Sequence, residues 1–344
     1  MELELIKKIK KLADTQKKDS CRKQVVRSIG DDCAVVIPGD DKELLITTDT
    51  LCEQVHFKLS YFPPFRLGSK LASVNLSDIA AMGGRPKWAL LNLEVPPGLA
   101  NAKAPFWTAF FKGLNQRLSR FGAVLVGGDT VSAPQDRLSL TLTLIGEVER
   151  GKAVYRSGAS SGDLIYCSGY TGEAACGLRL LEDLPSPCPL PRQVRKRLLL
   201  KHLDPEPRNR LGTALREAGI NSLIDVSDGI ASDLAHICEE SRLMAVVNQR
   251  MLPVSRALKT FCKACEKRKG KILHTALAEY VLFGGEDFEL IWTVSPERSQ
   301  IAEQAALSVM GFKPFLIGRM EKGSGCFLDT GRNLIDISFK GYEH

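Results

Sequence analysis

The spacing of apolar residues changes several times along the chain, and each change marks an element. Leu138, Leu140, Leu142 and Leu144 alternate with Ser139, Thr141 and Thr143, the period of two that puts one face of a strand on a core and the other in water. Phe106, Phe110, Leu114, Leu118 and Phe121 recur every three or four residues, which predicts an amphipathic helix. "ELLITTDT" (43–50) and "AVLVGGDT" (123–130) are short apolar runs ending in polar residues. They read as strands, the second as a buried one. After the Gly/Ser-rich stretch "EVERGKAVYRSGASSG" the pattern restarts with a strand, "LIYCSG", a helix, "EAACGLRLLE", and a Pro-rich loop, "DLPSPCPLPRQ". We read an α/β chain (mixed α+β) of two domains, 1–149 and 150–344, a division that its 344 residues also favour.

Composition narrows the class. Apolar residues make up 44% and charged residues 25% of the chain, as in globular proteins. No run of eighteen apolar residues is present, so no membrane span is expected. "MELELIKKIKKLAD" lacks the apolar core of a signal peptide, and the expected location is cytoplasmic. The ten cysteines follow no framework spacing and read as reduced thiols. Cys262 and Cys265 form one C-x-x-C without the further ligands of a zinc site. The net charge of +7 comes from separated, Lys-rich clusters without interleaved aromatics. It suits anionic small substrates better than nucleic acid.

"VNLSDIAAMGG" (74–84) reads as packed helix, yet carries Asp78, and a buried carboxylate is costly without a partner. Further acidic turns abut strands or glycines: Gly30-Asp31-Asp32, Thr47-Thr48-Asp49, Gly127-Gly128-Asp129-Thr130, Asp225-Val226-Ser227-Asp228-Gly229 and Gly284-Gly285-Glu286-Asp287. Asp and Gly are ordinary turn residues, but strand ends are where α/β proteins gather their sites. So many carboxylates together call for cations. Mg²⁺ shared between Asp oxygens and a polyphosphate meets that need, with glycines admitting phosphate close to the backbone. Phosphoryl transfer is the expected chemistry. No P-loop, G-x-G-x-x-G, kinase H-R-D or H-E-x-x-H motif is present, so metals would carry most of the phosphate binding.

"IGDDCAVV", "TTDTLCEQVHF", "VNLSDIAAMGG", "VGGDT", "RSGASSGD", "DVSDGIASDLAHI", "GGEDFEL" and "KGYEH" occur in this order and resemble the motifs of the thiamine-monophosphate kinase family. Several are shared with aminoimidazole ribonucleotide synthetase and selenophosphate synthetase; "TTDTLCEQVHF" and "KGYEH" point to the kinase. The resemblance implies transfer of the γ-phosphoryl group of ATP to thiamine monophosphate. It implies an N-terminal α/β domain whose sheet pairs in a homodimer and a C-terminal α/β domain that completes the active-site cleft. It also implies metal ligation of several Mg²⁺ ions by Asp32, Thr47, Thr48, Asp49, Asp78, Asp129, Asp225 and Asp228. Phe121, Gly128, Asp129, Arg156 and Ser227 match ATP-binding positions, and His56, Glu286 and Tyr342 match substrate positions. Phe121 and Phe288 stand where the family commonly has Tyr. No general base is expected, because the acceptor phosphate is already an anionic nucleophile. Two other readings remain open: a related enzyme with a different acceptor, and a non-catalytic nucleotide- or nucleic-acid-binding protein.

Overall fold

Alternating strands and two interlocked helices build the N-terminal part of the protein. The computed structural model describes residues 25–27, 31–39, 41–100, 105–133, 136–182, 189–266 and 273–341. They fall into two compact units, Met1–Ala153 and Val154–His344. The first contains β1 (Val25–Arg27), β2 (Ala34–Val36), β3 (Lys42–Cys52), α1 (Pro64–Ala81), β4 (Arg85–Val95), α2 (Pro105–Arg120), β5 (Val124–Ser132) and β6 (Ser139–Glu149). The sheet order is β1-β2-β3-β6-β4-β5, antiparallel except for the parallel β4–β5 pair.

The leucines of β6 are all buried while its Ser and Thr positions are half-buried, so the two-residue period reads true. Helix α1 packs on β3, β4 and β6. It meets α2 closely because two glycines leave room. A Cβ on Gly68 would lie 2.1 Å from the Phe110 carbonyl oxygen, and one on Gly113 would lie 1.9 Å from that of Phe65. Both contacts are far inside van der Waals distance, so Gly at these positions sets the helix spacing.

β5 departs from expectation. Its apolar run is a strand, but an exposed one: Val124, Val126 and Val131 are each at least half exposed. Only β4 pairs with it among the described residues. A short apolar run does not say what covers it, and here the strand stands at the sheet edge. Beside it, Trp88 and Leu90 of β4 are exposed as well.

The second unit contains β7 (Leu164–Cys167), α3 (Glu173–Glu182), α4 (Arg192–Leu203), α5 (Asn209–Ala218), β8 (Ser222–Asp225), α6 (Ile230–Ser241), β9 (Met244–Asn248), α7 (Arg256–Phe261), α8 (Leu273–Phe283), β10 (Leu290–Val294), α9 (Pro296–Met310), β11 (Phe315–Glu321), β12 (Gly325–Asp329) and β13 (Leu334–Asp336). Its sheet runs β13-β12-β9-β11-β7-β10-β8, and only β12–β9 is parallel. Strand and helix residues such as Ile224, Ile291, Leu234 and Ile237 form one core. Cys167, Cys176, Cys238 and Cys326 are buried free thiols. No helix of the described residues is long and apolar enough to cross a membrane.

Candidate active site

In the first unit, β3 and α1 bring carboxylates together. Thr47 and Asp49 lie two apart on β3 and so share the face toward α1. Asp78, in the last turn of α1, accepts a hydrogen bond of 2.5 Å from the Thr47 hydroxyl. Asp32 and Asp78 place carboxylate oxygens within 4.8 Å of each other. Burial raises the Asp49 carboxyl above its ordinary range and the charge of Asp32 adds to this, while a hydrogen bond with Asp78 opposes it. Asp49 Oδ2 is buried with no hydrogen-bond partner among the described residues. The Asp32, Asp49 and Asp78 carboxylates, drawn together in this way, are a donor set suited to a hard divalent cation.

The remaining candidates of this unit lie elsewhere. Thr48 faces the opposite side of the sheet, where its hydroxyl meets that of Thr143 at 3.0 Å. Asp129 is on that same open face, at the end of a row Thr50–Thr141–Asn92–Asp129 across β3, β6, β4 and β5. Three strand spacings put it roughly 14 Å from Thr50. The fold of one chain therefore does not bring Asp129 or the Thr48 hydroxyl to Asp49 and Asp78. Gly128 has φ +151°, and a Cβ there would lie 1.8 Å from the Leu91 carbonyl oxygen, so the strand kink requires glycine. Phe121 follows α2 and carries the Arg120 guanidinium 5.6 Å above its ring. His56 Nδ1 accepts from the Cys52 amide at 3.0 Å, which leaves the ring proton on Nε2 as a donor.

In the second unit, β8 ends at Asp225, and the turn Val226-Ser227-Asp228-Gly229 leads into α6. Asp233 in the first turn of α6 reaches back to accept from the amides of Asp228 (3.2 Å) and Gly229 (3.0 Å). Burial raises its carboxyl well above the ordinary range, Asp228 and Asp225 add to the effect, and Arg156 opposes it. Arg156 thus sits beside this acidic turn. The loop 284–289 is stitched to the same turn: the Glu286 amide donates to Ser227 O (2.7 Å) and the Phe288 amide to Val226 O (2.8 Å). Glu286 and Phe288 both take positive φ, +65° and +49°, a conformation costly for non-glycine residues. Gly341 packs on Asp228, where a Cβ would stand 2.7 Å from its carbonyl oxygen. Tyr342 lies outside the described residues.

Residues 30–148 match the family model "AIR synthase related protein, N-terminal domain". The chain is 37% identical over 321 residues to the thiamine-monophosphate kinase of Bacillus subtilis (strain 168), covering 92% of each. The crystal structure of thiamine-monophosphate kinase from Stenotrophomonas maltophilia K279a superposes with TM-score 0.73 at 34% identity, over 92% of this chain and 93% of that one. The chain belongs to the thiamine-monophosphate kinase family. A further solved member, AaThiL complexed with AMPPCP and TMP, superposes with TM-score 0.74 at 31% identity, over 93% of this chain and 92% of that one.

Within this family frame, the sequence reading assigned no role to the residues that hold the motifs in place. Asp233 lies inside "DVSDGIASDLAHI", and its reach back to the helix start resembles a capping box displaced by one position; that spacing was a usable signal. Glu289 accepts from Lys201 (2.8 Å) and, through both oxygens, from Arg208 (2.8 and 2.6 Å). Burial alone would raise its carboxyl, yet these two cations hold it far below the usual range. His202, 1% exposed, places Nδ1 2.9 Å from Glu286 Oε2. These partners are separated by about eighty residues of sequence, and no local pattern joins them.

Proposed function

We propose that the protein phosphorylates thiamine monophosphate, transferring the γ-phosphoryl group of ATP to the substrate phosphate to give thiamine diphosphate and ADP. The observation that carries the reading is the approach of the Asp32, Asp49 and Asp78 carboxylates, with the buried Asp49 oxygen, in a chain of this family. Asp32, Thr47, Asp49 and Asp78 would hold Mg²⁺. Thr48, Asp129, Asp225 and Asp228 are assigned to metal as well. When bound, such ions neutralise the phosphate charge that otherwise repels an anionic nucleophile.

Gly128, Ser227 and Phe121 are assigned to ATP, and Arg156 acts as a bidentate phosphate clamp. His56 offers its Nε2 proton to the acceptor phosphate, Glu286 contacts the thiamine substrate, and Tyr342 gives the cationic thiazolium a π face. No general base is required. The acceptor oxygen already carries negative charge, so the protein has only to align it with the γ-phosphorus and exclude water. In this reading domain 1–149 carries most of the metal-binding residues, and domain 150–344 supplies Arg156, Asp225, Ser227 and Asp228. The exposed face of β5 and β4 supports a homodimer paired through this sheet, because an uncovered apolar edge is a liability for a lone chain. The location in this reading is cytoplasmic.

Phosphorus NMR of the protein with ATP, Mg²⁺ and thiamine monophosphate tests the assignment. Thiamine diphosphate and ADP should appear together, and Asp78→Asn should slow both by more than the 10–100-fold typical of losing a group that only supports a metal ligand. ATP consumption that ignores the thiamine compound would overturn the acceptor. Full turnover by Asp78→Asn would overturn the metal role.

A further inference from the structure

We propose that Asp233 is a positioning residue for metal binding at the acidic turn of the second unit: through one carboxylate oxygen it fixes the backbone on which Asp228 stands. The inference rests on the reading that Asp225 and Asp228 are metal ligands.

The turn needs holding at one particular joint. Val226-Ser227-Asp228-Gly229 leads from β8 into α6, and its first half is tied to the loop 284–289. The Val226 amide donates to Glu289 O at 2.8 Å, while Val226 O and Ser227 O accept from the Phe288 and Glu286 amides. Gly285 packs against the same place, where a Cβ would stand 2.5 Å from Ser227 O. The second half contains Gly229, at φ +112°. Glycine reaches that conformation because it has no Cβ, and for the same reason its own sterics restrain the backbone least. Asp228 stands directly before this residue. A metal ligand needs the opposite of such freedom, since its oxygen must return to one place whenever an ion arrives.

Asp233 supplies the restraint. It is 2% exposed, and its Oδ2 accepts from both amides at the joint, those of Asp228 (3.2 Å) and Gly229 (3.0 Å). Its own amide donates to Gly229 O at 3.0 Å, so Asp233 grips Gly229 at both backbone polar groups. A helix start is ordinarily capped by the residue before it, as Ser255 caps α7 by accepting from Leu258 N. In α6 the acceptor comes from inside the helix and reaches back past its start, to the residue that carries the ligand. Asp225, Asp228 and Arg156 also act on Asp233 by charge.

The test is titration of the full-length protein with Mn²⁺ alone, free Mn²⁺ being read by EPR, alongside thermal unfolding. Asp228→Asn identifies the binding component that depends on this turn. Asp233→Ala should weaken that component about tenfold, the lower end of the loss seen when a group supporting a metal ligand is removed. The Mg²⁺ concentration for half-maximal turnover should rise by the same factor. Asp233→Asn keeps an acceptor oxygen in place while giving up the charge, and should stay within about threefold of wild type. In an Asp228→Asn background, Asp233→Ala should weaken Mn²⁺ binding no further. A lost helix cap alone would lower the melting temperature by about 2–4 °C and leave the ion affinity where it was. Unchanged Mn²⁺ affinity in the Ala variant, an Asn variant as weak as the Ala one, or additive effects with Asp228→Asn would each overturn the proposal. If the Ala variant does not fold, Asp233→Ser, whose hydroxyl is one bond too short for the two amides, takes its place in the contrast with Asn. Mn²⁺ binding indifferent to Asp228→Asn overturns this inference together with the metal role of the turn; a loss with Asp228→Asn but not with Asp233→Ala overturns this inference only.

Discussion

Two buried acidic regions of this protein look alike in sequence and differ in physics. Around Asp49, the carboxylates of Asp32 and Asp78 draw close, one buried oxygen has no hydrogen-bond partner among the described residues, and burial raises the Asp49 carboxyl. Around Glu289, one carboxylate is fully enclosed but is met by Lys201 and Arg208, so it stays ionised well below its usual range. The second region carries its compensating charge within the fold. In the first, neighbouring carboxylate charge adds to the rise instead of offsetting it. Imbalance of charge, rather than the number of acidic residues, separates a candidate site from a structural ion-pair hub.

The comparison breaks first at Glu289. Replacement by Gln leaves Lys201 and Arg208 facing a neutral amide, and removal of one partner from a buried ion pair typically costs about 3–5 kcal/mol. Urea unfolding of Glu289→Gln should show a loss of that size; a loss below ~1 kcal/mol would mean that the hub is solvated.

A smaller effect is expected at the neighbouring Asp287. Burial pushes this carboxyl up from 3.8 to about 7, against the opposing charge of Lys201. The folded protein then keeps a proton that the unfolded chain has lost, so stability falls as pH rises from about 4 to about 7 and levels off beyond. The full shift amounts to at most about 4 kcal/mol. Asp287→Asn should flatten this portion of the stability–pH curve, and parallel curves for variant and wild type would refute the assignment.

The smallest effect sharpens the contrast. In chelator, Asp49→Asn removes repulsion and should raise the melting temperature by about 2–4 °C, the equivalent of roughly 1 kcal/mol in a domain of this size. With saturating Mg²⁺ the order should reverse, because the variant has lost a ligand. The same order in both conditions would show that Asp49 does not bind the ion.

Much of this was legible beforehand. The alternation of β6 and the helical spacing of α2 follow from local pattern, because backbone geometry imposes those periods on any chain that buries one face. The acidic turns were legible for a similar reason, since Asp and Gly cluster where the backbone must turn and approach a ligand. Sequence did not reveal that the apolar run of β5 is exposed, since an edge strand and a central strand carry the same residues until their neighbours are known. It did not separate Thr47 from Thr48, whose hydroxyls leave opposite faces of one strand. Nor did it join His202 to Glu286 or Lys201 to Glu289.

The sequence by itself thus determined the periodic elements, the position of the acidic turns and the family. Tertiary structure decided which carboxylates are compensated, because compensation depends on charges brought within about 3 Å by long-range packing. Asp49 meets Asp78, and Glu289 meets Arg208. Both pairings join residues far apart in the chain, and neither leaves a local mark in the sequence.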